Sequence, residues 1–335
     1  MIPNRAWAFL FLSFLTFPNA EEAEDCDAAR TELLQVGLGL HKDEIKDEVM
    51  DPSLQYTDCW NHSFPRDADV FHLHIPKVAG CSTVHDLGQI VGRENLYSDE
   101  ICFSFSKLAV FHHTVVMLRR PRDHVFSMYQ HCYSGGGPGY YAALKLMNAA
   151  PGEPGFSLPD TFGKWIHSWV TKPHFGFYGV YADEFHCYFP KDLQSHRMTC
   201  ALPDEREATV SVAAAIENMK TASMVGITEA YHESMCLFAA KLTGSLPSYC
   251  DCENSTAWSA FEGTDEDHGV SYNDTVEAQP PDVLAGVDYL TQGDRQLYNA
   301  SVERFIRDIK EVETNFGMKV LCGDQETALR EKMVV

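Results

Sequence analysis

The sequence predicts an α/β protein of three layers, a central parallel sheet flanked by helices. Three stretches carry that expectation. Val70-Phe71-His72-Leu73-His74-Ile75 alternates in strand-forming residues, enters the small-residue stretch Pro76 to Thr83, and continues with helical spacing from Thr83 to about Val91. The order strand, loop, helix returns where Thr114-Val115-Val116-Met117-Leu118 meets Arg119-Arg120-Pro121-Arg122-Asp123, after which Val125, Met128, Tyr129 and Cys132 share one helical face. Met224-Val225-Gly226-Ile227 is a third buried-strand run, with a helix after it from about Glu229 to Leu242. Strands alternating with helices at this spacing pair in parallel through right-handed crossovers.

Taken from the start of the chain, Met1–Ala20 has one charge at Arg5, an apolar run from Ala6 to Phe17 and a small residue at Ala20. That layout predicts a secretory signal peptide, or a short signal anchor that leaves the rest in the same lumen. Residues 21–65 are polar and acidic and read as an N-terminal cap segment. Residues 66–325 carry the strand and helix signals and form the main domain. Pro121 stands where a first helical turn tolerates it. Ser134 to Tyr141 is too glycine-rich for an element interior and reads as a loop. Thr161 to Thr171 reads as a helix. Residues 243–294 hold 11 acidic residues and no Lys or Arg, and read as an acidic surface insertion. Asp294 to Asn315 is the last clear helix, striped by Leu297, Val302, Phe305 and Ile309, and residues 326–335 read as a tail.

Composition narrows the function. The chain has 335 residues, 26 Lys+Arg against 48 Asp+Glu and a net charge of −22. A nucleic-acid or anionic-membrane binder needs a basic face to displace counterions, so neither partner is expected, and any polyanion must bind in a local pocket. Membrane contact is expected only through the possible N-terminal anchor. Four Asn-x-Ser/Thr sites, at Asn61, Asn254, Asn273 and Asn299, agree with a secretory route. Eleven cysteines in an oxidising lumen should mostly pair, and the odd count leaves at least one thiol over. Cys81 is the candidate, because it lies in the small-residue loop. Cys250-x-Cys252 with His268 falls short of the usual zinc spacing, and no metal is expected.

A small-residue loop between a buried strand and a helix aims several backbone N–H groups and the positive end of the helix dipole at one point, which suits an anion. Lys77 adds a full charge there, and the hydroxyls of Ser82 and Thr83 add donors. The lysine precedes the small residues, so the loop is not a Walker sequence. Arg119 leaves the second strand at the same sheet edge, and Ser127 follows about two helical turns on, a pairing able to grip a second phosphate.

These residues resemble the sulfotransferases that use 3′-phosphoadenosine 5′-phosphosulfate (PAPS), in particular the carbohydrate sulfotransferases of the Golgi. His74-Ile75-Pro76-Lys77-Val78-Ala79-Gly80-Cys81-Ser82 resembles the family's 5′-phosphosulfate loop. Leu118-Arg119-Arg120-Pro121-Arg122-Asp123-His124-Val125-Phe126-Ser127-Met128-Tyr129 resembles its 3′-phosphate motif, with Arg and Ser eight apart. Weaker echoes are Val225-Gly226-Ile227-Thr228-Glu229 and Asp294 to Ala300. Val78 and Cys81 replace usual threonines, and His124 replaces a frequent arginine.

The resemblance implies a P-loop NTPase-like fold and transfer of a sulfuryl group from PAPS to a carbohydrate hydroxyl in the secretory pathway, without metal. It implies that Lys77, Val78, Ala79, Gly80, Cys81, Ser82 and Thr83 bind the 5′ end, that Arg119 and Ser127 read the 3′ phosphate, and that Lys77 neutralises charge on the bridging oxygen. The general base falls between the two motifs, among His85, Glu94, Asp99, Glu100, His112 and His113, with Glu100 favoured by position. The acceptor is a glycan or glycoprotein, for which Trp165 and Trp169 offer either an aromatic platform or core packing. The alternatives are a protein-tyrosine sulfotransferase, a secreted binding protein that has kept the fold without turnover, and a nucleotide-dependent kinase.

Overall fold

Three of the four strands in the sheet form because their residues are apolar on both faces. In the computed structural model, β1 (Val70–Leu73), β3 (His113–Leu118) and β6 (Met224–Ile227) are buried almost throughout, as parallel strands covered on both sides must be. The fourth, β2 (Leu96–Asp99), stands at the edge, where its half-polar sequence is tolerated. The order is β2-β1-β3-β6 and every pairing is parallel. The structure describes residues 68–103, 110–133, 161–171, 179–180, 185–186, 188–200, 210–264 and 275–333. The predicted leader, the acidic cap, the loop 134–141, Asn61, Asn273 and His268 lie outside them.

Helix α1 (Gly80–Val91) carries the chain from β1 to β2, and α2 (Pro121–Tyr133) leaves β3 with Pro121 as its first residue. Next come α3 (Phe162–Thr171), a two-residue hairpin of β4 (Gly179–Val180) and β5 (Phe185–His186), α4 (Leu193–Thr199) and α5 (Val212–Thr221). Ser211 caps α5 by accepting from the Ala214 amide. After β6, α6 (Tyr231–Thr243) ends at Gly244 in the left-handed conformation. The chain closes with α7 (Ser255–Trp258), α8 (Pro281–Leu290), α9 (Gln292–Phe316) and α10 (Gln325–Met333).

Two apolar clusters hold these elements. One surrounds the sheet and takes in Leu87, Phe238, Leu297, Val302, Phe305 and Ile309. The other joins α2, α3 and α8 through Val125, Met128, Tyr129, Trp165, Trp169, Val287 and Leu290. Trp165 and Trp169 are therefore core, buried at 1% and 6% exposure. Each such aromatic contributes about 2–3 kcal/mol of burial.

The structure refines two of these readings. The acidic segment 243–294 is not merely surface: α8 and Val276 pack into the second cluster, and Cys250 and Cys252 enter separate disulfides, Cys236–Cys250 and Cys252–Cys322. The tail is the helix α10, anchored by buried Leu329 and by Arg330 to Glu303 and Glu326. One apolar anchor in nine residues leaves little periodicity to read. Asn299 stands inside the 25-residue α9 beside fully buried Ser301, so this site is unsuited to carry a glycan in the folded chain. A third disulfide is Cys102–Cys200, and Cys81 is in none of the three.

Candidate anion-binding site

The order β2-β1-β3-β6 sends the chain from β1 toward one edge and from β3 toward the other. The carboxyl ends of those two neighbours form the topological switch point, the usual ligand position in open α/β sheets. The two predicted motifs occupy it. After β1, the amide of His74 donates to Asp99 O (2.9 Å), extending the pairing with β2, and then the backbone turns sharply. Lys77 and Ala79 both adopt the left-handed conformation, φ 65° and 64°. Each costs about 1–2 kcal/mol for a residue with a Cβ, strain of the kind held where function requires it. Ala79 is the N-cap of α1 and gives it no side-chain cap, and the helical ladder begins at the Thr83 amide, which donates to Ala79 O (2.9 Å).

The loop is anchored from three sides. Val78 is fully buried, so only its backbone can face a ligand, and its carbonyl accepts from Thr228 Oγ1 (3.1 Å). The same hydroxyl reaches Leu118 O (3.2 Å), tying the loop to the end of β3. His124 Nε2 meets Pro76 O at 2.8 Å, and burial pulls this imidazole down to about 3, so it is neutral and donates. A buried neutral ring thus braces the loop where the resemblance expects an arginine. The ring of His74 lies directly over Gly80: a Cβ there would stand 1.8 Å from His74 Nε2, so no other residue fits without moving that ring.

Lys77 is half-buried and forms no ion pair among the described residues. Its ammonium is pulled down from 10.5 to about 8, chiefly by burial and next by Arg119, against a weaker opposing pull from Cys81 and Glu100. Arg119 Nη1 donates to Lys77 O (3.1 Å). Its backbone is locked by Gln194 of α4, whose Oε1 accepts from the Arg119 amide and whose Nε2 donates to the Arg119 carbonyl, both 2.9 Å.

The other two arginines are neutralised by the acidic segment. Arg120 pairs with Glu277 and Asp123, and Arg122 grips Asp288 through two bonds of 2.8 and 2.6 Å. Arg119 has no carboxylate within ion-pair distance among the described residues. Two cations therefore stand beyond the carboxyl ends of β1 and β3 without a carboxylate partner at such a distance among the described residues, beside the N-terminus of α1. An anion with two charged groups fits them.

The remaining predicted residues fall as follows. Cys81 and Ser82 are half-buried in the first turn of α1. Thr83 is fully buried with its hydroxyl bonded to Ala79 O (2.8 Å), so it serves the helix start. Ser127 is buried on α2, one turn beyond His124 and on the same face, the face turned to the loop. Glu100 follows β2 at the same edge, its side chain 16% exposed and Oε1 3.9 Å from His74 Nε2. Of the other base candidates, His113 opens β3 and His112, paired with Asp69 at 3.0 Å, precedes it. Both stand at the opposite end of the sheet, beside a pocket of about 300 Å³. Glu94, ahead of β2, is at that far end too. Asp99 accepts from Tyr97 Oη (2.9 Å), and His85 faces Asp86 (3.3 Å) and Thr264.

Several supports were not read from the sequence: Gln194, the bracing role of His124, and a pair of reciprocal caps. Asp192 Oδ1 accepts from the amides of Gly293 (2.7 Å) and Asp294 (2.9 Å) at the start of α9. Asp294 accepts from the amides of Gln194 (3.1 Å) and Ser195 (2.7 Å) at the start of α4. Burial, then the charge of Asp192, raises Asp294 to about 7. The two weak echoes join here, since Tyr298 Oη donates to Glu229 (2.9 Å), which accepts from the Arg120 amide (2.9 Å). The spacing of His124 and Ser127 on one helix was the available signal. The others depend on partners far away in sequence. Comparison of the chain with protein-family models, with curated proteins and with solved structures gives no match.

Proposed function

We propose that the chain is a PAPS-dependent sulfotransferase of the secretory pathway acting on a hydroxyl of a glycan or glycoprotein, built on a P-loop NTPase-like variant of the parallel sheet. The observation that carries the reading is the pairing of half-buried Lys77 with Arg119, neither within ion-pair distance of a carboxylate among the described residues, beyond the ends of adjacent parallel strands. The donor set fits a nucleotide with separated phosphate groups: the α1 amides and Lys77 for the 5′ side, Arg119 and Ser127 for the 3′ phosphate. The three disulfides among the described residues support an oxidising compartment.

When bound, PAPS supplies a sulfuryl group on a phosphate leaving group. Lys77 Nζ, already protonated near neutral pH and held so more firmly once an anion offsets Arg119, neutralises charge on the bridging oxygen as its bond to sulfur breaks. Glu100, close enough to raise the affinity of Lys77 for its proton, takes the proton of the acceptor hydroxyl as its oxygen bonds to sulfur. The strained loop holds these groups in place beforehand, and in-line transfer needs orientation more than covalent help.

Calorimetric titration with 3′-phosphoadenosine 5′-phosphate, beside ADP, tests the reading without knowledge of the acceptor. Tight binding of the first with weak binding of the second supports it, and labelled-sulfate transfer to glycan and tyrosine acceptors then chooses the substrate. Binding of neither by folded protein would leave the reading without its basis.

A further inference from the structure

The short helix α4 touches both the residue that follows β3 and the segment that follows β2. At its start, Gln194 brackets the backbone of Arg119, and Asp294 caps the helix itself. At its end, Arg197 Nη1 donates to Glu100 O (2.6 Å), the amide of Phe103 donates to Arg197 O (2.7 Å), and Cys200 is bonded to Cys102. The segment it grips needs a holder. Among the described residues β2 is an edge strand paired only with β1, and its last pairing bond in the ladder runs from His74 to Asp99. From Glu100 onward the chain leaves the sheet, and an edge segment without ladder bonds opens readily.

We infer that α4 is the element that sets Glu100 against the phosphate loop, so that Arg197 and the Cys102–Cys200 disulfide are positioning residues. Turnover, but not nucleotide binding, then depends on an oxidised Cys102–Cys200. This rests on Glu100 being the base proposed above. The two ends of α4 separate the roles: the end holding Arg119 is fixed by Gln194 and Asp294, neither of which involves the disulfide. A chain delivered to a reducing compartment would bind nucleotide and fail to transfer.

The test uses the full secreted chain as a Cys102→Ala/Cys200→Ala double variant, and as Arg197→Met and Arg197→Lys, which keep the disulfide should the double variant fold poorly. Three quantities are read: amide exchange at Phe103, affinity for 3′-phosphoadenosine 5′-phosphate, and kcat with its pH profile. Phe103 should lose protection, nucleotide affinity should stay within about threefold, and kcat should fall about 10- to 100-fold with KM for PAPS unchanged, the scale of a misplaced catalytic group. The limb of the pH profile due to the base should shift, and Arg197→Lys should recover part of the loss.

Unchanged kcat despite free exchange at Phe103 would overturn the inference, and so would nucleotide affinity falling in step with kcat. Failure of the functional reading looks different. A wild-type chain that transfers nothing, or full turnover in Glu100→Gln, would count against that reading, and exchange at Phe103 would still decide whether α4 holds the segment.

Discussion

Replacing Lys77 with methionine should make the protein more stable and unable to bind nucleotide. Burial and the neighbouring Arg119 take the Lys77 ammonium from 10.5 to about 8. At about 1.36 kcal/mol per pH unit, holding the charged form in the folded chain costs about 3 kcal/mol. The folded state binds fewer protons than the unfolded state between pH 8 and 10.5, so stability rises with pH across that window and Lys77 carries its full cost below it. Lys77→Met should therefore raise the unfolding free energy at pH 7 by up to about 3 kcal/mol, and the gain should vanish above pH 10.5.

The same charge explains the ligand's effect. An anion lying between Lys77 and Arg119 restores the ammonium, so binding 3′-phosphoadenosine 5′-phosphate at pH 8 should take up about half a proton, and at pH 6 almost none. Titrations in HEPES and in Tris, whose ionisation enthalpies differ, measure that number directly, and Lys77→Arg should abolish it. The same uptake in Lys77→Arg, or none in the wild type at pH 8, would refute the reasoning, as would a Lys77→Met variant less stable than wild type at pH 7.

Arg119→Ala should weaken 3′-phosphoadenosine 5′-phosphate about 10- to 100-fold and adenosine 5′-phosphate little, the loss of one charge-assisted fork; equal losses would remove Arg119 from that role. His124, held near 3, should cost stability as pH falls from 6.5 toward 3, because the unfolded chain takes a proton the folded ring refuses, and His124→Gln should flatten acid unfolding in that window. Asp294, raised to about 7, contributes stability that is fully present below about pH 4 and lost as pH rises through 7, a slope that denaturant titrations should find absent in Asp294→Asn. Asp294→Ala should cost about 2–4 kcal/mol, since two buried amides at the start of α4 lose their acceptor, and should weaken nucleotide binding through Gln194 and Arg119.

Strands β1, β3 and β6 and helix α9 were legible in the sequence because their signals are local: continuous apolar runs, or a stripe at helical spacing, state their own burial. The loop from Pro76 to Ala79 was legible for the same reason, its small residues standing between a strand and a helix. Strand β2 was not, because Leu96-Tyr97-Ser98-Asp99 is short and half polar, and becomes a strand only through pairing with β1. Helices α4 and α10 likewise owe their place to partners elsewhere in the chain.

What the sequence determined by itself is the alternation of strands and helices and the positions of Lys77 and Arg119 at two strand ends. Which of three successive arginines stays without a carboxylate partner was decided only in three dimensions. Arg120 and Arg122 meet Glu277 and Asp288, 157 and 166 residues further on, and Arg119 meets the carbonyl of Lys77 instead. Ion pairs are set by distance in space, and a parallel sheet brings strand ends together regardless of their separation along the chain. That is why the two cations could be found by reading and their lack of a carboxylate counterion could not.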